Sequence, residues 1–230
     1  MTAIENAAKD AIKRFVKSSN NNRIIGLGSG STTAALVREM AKLPNKEAIE
    51  FVTSSLQIKI EAEKSGLKIV DDENRITEID IVFDGADQID SEFNMIKGGG
   101  GALLKEKILI SASKKVVIIA DSMKFVNKFN RPVPIEIHQF ARSMIWKKLQ
   151  EEKIGGGQPQ LRTMEKGYPF VTENGNIILD TIFTSLTDVQ KKEVQLKSIP
   201  GVLEVGLLTR RADIYYKAKS DGSFETVKFS

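Results

Sequence analysis

Residues 24–32 read Ile24-Ile25-Gly26-Leu27-Gly28-Ser29-Gly30-Ser31-Thr32, and a stretch of helical spacing from Thr33 to Lys42 follows. A short apolar run, a glycine turn and a helical pattern together predict strand, tight loop and helix. Glycines allow a backbone to approach a ligand closely, and a helix N-terminus offers N–H groups to an anion, so this loop predicts a phosphate cradle. A simple tight turn is the plain alternative, but Ser29, Ser31 and Thr32 supply more donors than a turn requires. The spacing argues against a dinucleotide. GxGxxG needs its third glycine at position 31, where Ser31 stands, and the next strand ends on Thr53-Ser54-Ser55 without an acid for a ribose. GxxxxGK[ST] is absent too, so a nucleoside triphosphate is not indicated.

Working outward, the same rhythm repeats. Thr2 and Glu5 form a capping box ahead of Ile4, Ala8, Ala11, Ile12 and Phe15, which predicts a helix to about Ser18, stopped by Asn20-Asn21-Asn22. Glu50 to Thr53 reads as a strand, Leu56 to Ser65 as a helix capped by Gly66, and 67–70, 79–83 and 116–120 as further strands. A helix over about 102–111 precedes the last of them. This is the alternation of a parallel sheet, whose ligand crevice lies outside the carboxyl ends of the strands.

Past Asn130 the pattern changes. Pro132 and Pro134 open a strand at 135–137, a helix spans roughly 139–152, and Gly155-Gly156-Gly157 ends it. Phe170-Val171-Thr172 and 176–180 flank the turn Glu173-Asn174-Gly175, Thr187 with Gln190 starts a helix that stops before Pro200-Gly201, and 202–208 reads as one strand. Strand, helix, hairpin, helix, strand is the split βαβ arrangement, and a final hairpin turns at Asp221-Gly222. The expected fold is α/β: a Rossmann-like parallel-sheet domain of residues 1–131 completed by 207–230, with a smaller α+β, ferredoxin-like domain at 132–206.

Composition narrows the chemistry. The 230 residues include no cysteine and one histidine, which excludes disulfides, thiolate nucleophiles and histidine-rich zinc sites. Any reaction must run on carboxylates, lysines and backbone groups. A net charge of +4, with lysines spread among acids, lacks the basic stripe of a nucleic-acid binder. No apolar run is long enough for a membrane span and no signal-peptide pattern opens the chain, so a cytoplasmic location is expected.

Three further motifs carry chemistry, two of them directly after predicted strands. Asp84-Gly85-Ala86-Asp87 places two carboxylates in a tight turn, which suits the hydroxyls of a polyol; an Asx turn or a hard-metal site would read the same way. Like charges so close can also raise one pKa toward a useful range. Lys97-Gly98-Gly99-Gly100-Gly101-Ala102-Leu103-Leu104-Lys105-Glu106-Lys107 carries four consecutive glycines, costly as a mere spacer, whose N–H groups with Lys97 suit a developing oxyanion. By position Glu106 is either a base beside that loop or one more solvated helix acid between two lysines. Asp121-Ser122-Met123-Lys124 closes the last parallel strand, with Lys124 a surface cation on its own evidence. His138 reads as structural, and Trp146 and Met144 as core or interface.

In order and spacing, GLGSGST, DGAD, KGGGGALLKEK and DSMK resemble the ribose-5-phosphate isomerases of the A type, and the likeness extends to 134–137, 156–159, 173–180 and 199–206. One departure is Gln88, where that family commonly has Glu after DGAD. The resemblance implies an aldose–ketose isomerase that interconverts D-ribose 5-phosphate and D-ribulose 5-phosphate through an enediolate, in the non-oxidative branch of the pentose phosphate pathway, without cofactor or metal. It implies that Ser29, Gly30, Ser31 and Thr32, then Asp84, Gly85, Ala86 and Asp87, then Lys97, Gly98, Gly99 and Gly100, and lastly Lys124 contact the sugar phosphate. It assigns Glu106 the proton transfer, with Asp84, Asp87 and Lys97 beside it, and it implies a homodimer or homotetramer. Two other readings compete. A sugar-phosphate sensor would need a DNA-reading module, for which residues 1–23 are too few; an acyl or CoA transferase would use Glu106 as nucleophile.

Overall fold

The computed structural model describes residues 2–16, 23–70, 72–73 and 76–229. Two compact units account for the chain: Met1–Ala86 with Lys105–Phe125 and Ala212–Ser230, and Asp87–Leu104 with Val126–Arg211. Where the sequence suggested one insertion at 132–206, residues 87–104 also belong to the second unit. The reason is a small sheet: β5 (Gln88–Ile89) pairs with β6 (Met95–Ile96), which pairs in turn with β12 (Leu207–Leu208).

The first unit contains α1 (Ala3–Phe15), β1 (Arg23–Leu27), α2 (Gly30–Met40), β2 (Ile49–Thr53), α3 (Leu56–Lys64), β3 (Lys68–Ile69) and β4 (Ile81–Asp84). After the excursion through β5 and β6 come α4 (Leu103–Ala112) and β7 (Val116–Asp121), and the C-terminal β13 (Ile214–Ala218) and β14 (Phe224–Lys228) complete it. The sheet order is β14-β13-β7-β4-β1-β2-β3, parallel throughout except for the final β13–β14 hairpin. Strands buried on both faces explain why 116–120 is an unbroken apolar run instead of an alternation. Ile25, Leu27, Phe51, Phe83 and Ile119 pack with Ala7, Ala11, Leu36, Met40 and Ile58 of the helices. Each large apolar side chain buried there stabilises by about 1.5–3 kcal/mol relative to exposure.

Local signals set the helix starts. Thr2 Oγ1 accepts from Glu5 N at 3.3 Å and Glu5 Oε2 accepts from Thr2 N at 2.8 Å, which completes the capping box. The expected end of that helix near Ser18 and its stop at Asn20–Asn22 lie outside the described residues. Helix α2 starts at Gly30, three residues before the predicted start at Thr33. Propensity reads glycine and serine as loop, but extended Ser29 is the N-cap, so Gly30, Ser31 and Thr32 form the first turn.

The second unit has β8 (Val133–Ile137), α5 (Arg142–Gln150), β9 (Gln158–Leu161), β10 (Ile177–Ile182), α6 (Val189–Lys197) and β11 (Val202–Val205). Its sheet order, β11-β8-β10-β9 with antiparallel neighbours, is the ferredoxin-like split βαβ pattern. Ile135, Ile137, Ile145, Leu149, Leu179, Leu196 and Val205 form its core, with Trp146 partly buried against them. Met144, by contrast, is exposed.

Several local expectations need correction. The helix predicted over 139–152 is α-helical only at Arg142–Gln150, after a 3-10 turn capped by the His138 ring, which accepts from Phe140 N. The cap of α6 is Asp188, accepting from Lys191 N at 2.9 Å, one residue beyond Thr187. The hairpin expected around 173–175 forms at its turn end, with Val171 paired to Ile177, but β10 pairs beyond it with β8 over 177–181 and with β9 over 179–182, an edge strand that Pro159 and the preceding glycines disguise. The strand expected over 202–208 breaks at Gly206, which donates to Pro134 O and accepts from Lys97 N, so the chain changes sheets there.

Candidate active site

In the first unit the carboxyl ends of β1 and β4 lie side by side, Leu27 in register with Phe83. Gly28 N donates to Phe83 O at 2.9 Å, so the chain leaves β1 pressed against the residue that follows Phe83, Asp84. A Cβ at Gly28 would stand 1.9 Å from the Asp84 carboxyl carbon, which is why no other residue fits. Asp84 is buried, and its Oδ1 accepts from Gly85 N at 2.7 Å and Ser29 N at 3.3 Å. These N–H groups hold the carboxylate in one orientation at the sheet's carboxyl edge.

Glu106 occupies the first turn of α4 and is only 3% exposed. Ser29 Oγ donates to its Oε1 at 2.6 Å, which overturns the solvated-acid reading: the side chain turns inward to the β1–α2 loop. Ser29, which the resemblance puts against the sugar phosphate, donates its hydroxyl to Glu106. Gly30, Ser31 and Thr32, as the first helical turn, have N–H groups with no intrahelical acceptor, the arrangement that receives an anion. Ser31 is exposed and Thr32 buried. A Cβ at Gly85 would lie 3.7 Å from Thr32 Cβ, so the DGAD turn and this helix start are neighbours. Lys124 ends the 3-10 turn after β7, the strand next to β4.

The other motif residues belong to the second unit. Asp87 N donates to Ile96 O at 2.8 Å, and Asp87 Oδ2 accepts from Gly99 N at 2.7 Å. Lys97 is buried, its N–H donating to Gly206 O at 2.8 Å. Gly98 and Gly101 have φ of +101° and +83°, a region closed to most L residues, and Gly101 N donates to Gly98 O at 3.0 Å. The four-glycine run is therefore a built loop, with Gly99 and Gly100 exposed.

Gln88 is also accounted for. Its Oε1 accepts from Asn130 N at 3.0 Å and Arg131 N at 3.1 Å, while its amide nitrogen donates to the Asn130 side chain. An amide both donates and accepts, so Gln88 fastens the backbone at 130–131. Sequence reasoning missed Arg162, which bonds the carbonyls of Gly98 and Gly99. No periodicity or motif marked it. Among the described residues no group of three or more His, Asp or Glu is placed to hold a metal ion.

The chain resembles known proteins in both sequence and fold. The profile of the family described as Ribose 5-phosphate isomerase A (phosphoriboisomerase A) matches residues 50–222. The chain is 38% identical to a ribose-5-phosphate isomerase A of Listeria monocytogenes over 89% of this chain and 91% of that protein. It is 39% identical to a ribose-5-phosphate isomerase of Dictyostelium discoideum over 94% of each. Among solved structures, the ribose 5-phosphate isomerase of Plasmodium falciparum superposes with a TM-score of 0.90 at 30% identity, covering 99% of this chain and 98% of that one. A D-ribose-5-phosphate isomerase solved in complex with phospho-erythronic acid gives 0.88 at 32% identity, over 99% and 98%. With a family profile and full-length relatives in agreement, the chain belongs to the ribose 5-phosphate isomerase A family.

Proposed function

We propose that Glu106 carries the proton in the reaction this family member catalyses, the interconversion of D-ribose 5-phosphate and D-ribulose 5-phosphate. The carrying observation is the 2.6 Å bond from Ser29 to buried Glu106, which holds a carboxylate at the β1–α2 loop. In the aldose-to-ketose direction Glu106 removes the proton from C2, the C2–H electron pair forms the C1–C2 double bond, and charge passes to O1. Return of the proton to C1 and transfer of the O2 proton to O1 complete the ketose. A positioned base contributes about 10²–10⁴-fold and each oxyanion donor about 10²–10³-fold, so both are needed. Lys97 and the N–H groups of the Gly98–Gly100 loop supply the positive partners. Asp84 and Asp87, each fixed by backbone N–H groups, bind sugar hydroxyls with Gly85 and Ala86 as the close-packed turn.

Gly30, Ser31 and Thr32 hold the phosphate, with Lys124 as the accompanying cation. The step belongs to the non-oxidative pentose phosphate branch and, because phosphorylated sugars do not cross membranes unaided, to the cytosol. No helix among the described residues is long and apolar enough to cross a membrane. The direct test is to treat the purified chain with EDTA, add D-ribose 5-phosphate and follow ketose formation. Turnover supports an isomerase without a metal; complete inactivity contradicts the reading.

A homodimer or a dimer of dimers is the proposed assembly. Supporting it, Phe140 is 94% exposed and Tyr168 68%, and with Val171, Gln139 and Arg142 they line a groove of about 520 Å³ in the second unit. Apolar area of this kind favours association when a second copy covers it. Trp146, which the sequence left as core or interface, packs on the core of its own unit. Sedimentation at micromolar concentration decides the matter: a monomer contradicts it.

A further inference from the structure

The glycine run is gripped by a side chain distant in sequence. Arg162, just beyond β9, donates from Nη1 to Gly98 O at 2.7 Å and to Gly99 O at 3.0 Å. Its Nε and Nη2 meet Asp180 of β10 at 2.8 and 2.5 Å, a two-point pair that fixes the plane of the guanidinium. Phe170 adds a wall: the guanidinium carbon lies 5.8 Å from its ring centroid, and a Cβ at Gly101 would come within 2.5 Å of that ring. Arg162 is only 14% exposed, so this is not a solvated surface pair.

The consequence follows from peptide geometry. In a trans peptide the C=O and the N–H of the next residue point in opposite directions, so fixing a carbonyl fixes the following N–H. The peptide of Gly98 O carries the N–H of Gly99, already donated to Asp87 at 2.7 Å. The N–H of Gly101 is taken by Gly98 O. The peptide of Gly99 O carries the N–H of Gly100, which Arg162 therefore aims away from itself, on an exposed stretch of the loop. We propose that Arg162, locked by Asp180, is a positioning residue that orients the Gly100 N–H as the donor to the enediolate oxyanion. This rests on the reading of Glu106 as base. A single lysine ammonium cannot replace it, because a fork is needed to hold a carboxylate and two carbonyls together.

The test measures kcat, KM and thermal unfolding of the full chain for Arg162→Lys, Arg162→Ala, Asp180→Asn and, alongside, Glu106→Gln. The expected result is a kcat lower by about tenfold or more in both Arg162 variants, because an oxyanion donor has been misaimed. KM should stay within about threefold, since binding common to ground and transition states is intact. Millimolar guanidinium should recover kcat in Arg162→Ala and leave Arg162→Lys unchanged. Should Arg162→Ala not fold, Arg162→Lys and Asp180→Asn carry the test through the same kcat loss in folded protein. Wild-type kcat in a folded Arg162 variant, or a loss that follows unfolding and is not recovered by guanidinium, overturns the proposal. If Glu106→Gln is inactive while the Arg162 variants turn over normally, only the positioning role fails. Normal turnover by Glu106→Gln instead removes the reading on which it rests.

Discussion

Ser29 and Glu106 stand 77 positions apart in sequence and share a 2.6 Å hydrogen bond from the serine hydroxyl to the glutamate carboxylate. Ser29 is also the N-cap of α2 but makes no side-chain capping bond there. The usual stabilising use of a serine at a helix start has been given up for contact with Glu106. Hydrogen bonds to charged groups contribute about 1.5–3 kcal/mol, and here part of that should appear as catalytic alignment. Ser29→Ala should lower kcat about tenfold, equivalent to about 1.4 kcal/mol, with a small effect on the melting temperature. Steady-state kinetics and calorimetry check this, and an unchanged kcat refutes it.

Gly28 is constrained by Asp84. Because a Cβ would stand 1.9 Å from the Asp84 carboxylate, Gly28→Ala must displace either the loop or the acid. Overpacking of this kind costs about 1–3 kcal/mol, so a melting temperature lower by roughly 2–12 °C is expected together with loss of activity. Adding Asp84→Ala to Gly28→Ala should recover the melting temperature without recovering turnover. If the double variant is no more stable than Gly28→Ala alone, the clash is not the cause.

Ser31→Ala combined with Thr32→Ala tests the phosphate cradle. As the proposed phosphate ligands, these residues would act on a part of the substrate that does not change during the reaction, so KM should rise more than kcat falls. A collapsed kcat with an unchanged KM would move the two residues from binding to chemistry.

Much of the first unit was legible because strand, glycine loop and helix alternate in step with the sequence, and each motif sits at a strand's carboxyl end. Glu106 was ambiguous for a physical reason: local spacing between Lys105 and Lys107 fits a solvated helix face, and its inward turn shows only in the long-range bond from Ser29, 77 positions away. The second unit's element order was readable, but β9 was hidden by Pro159 and the glycines before it. Gly206 gave no local sign that one apolar run serves two sheets. Arg162 was invisible for a similar reason, since its partners at 98, 99 and 180 are set by pairing between strands and not by neighbouring residues.

Glu106→Gln tests the central claim most directly. The amide keeps the size of the side chain and can still accept from Ser29 Oγ, so folding should be preserved, but it cannot accept the C2 proton. Turnover should fall by ~10²-fold or more while the sugar phosphate still binds. Asp84→Asn and Asp87→Asn belong in the same experiment. Near-normal turnover by Glu106→Gln beside an inactive aspartate variant would contradict the account and transfer the role of base to the DGAD turn.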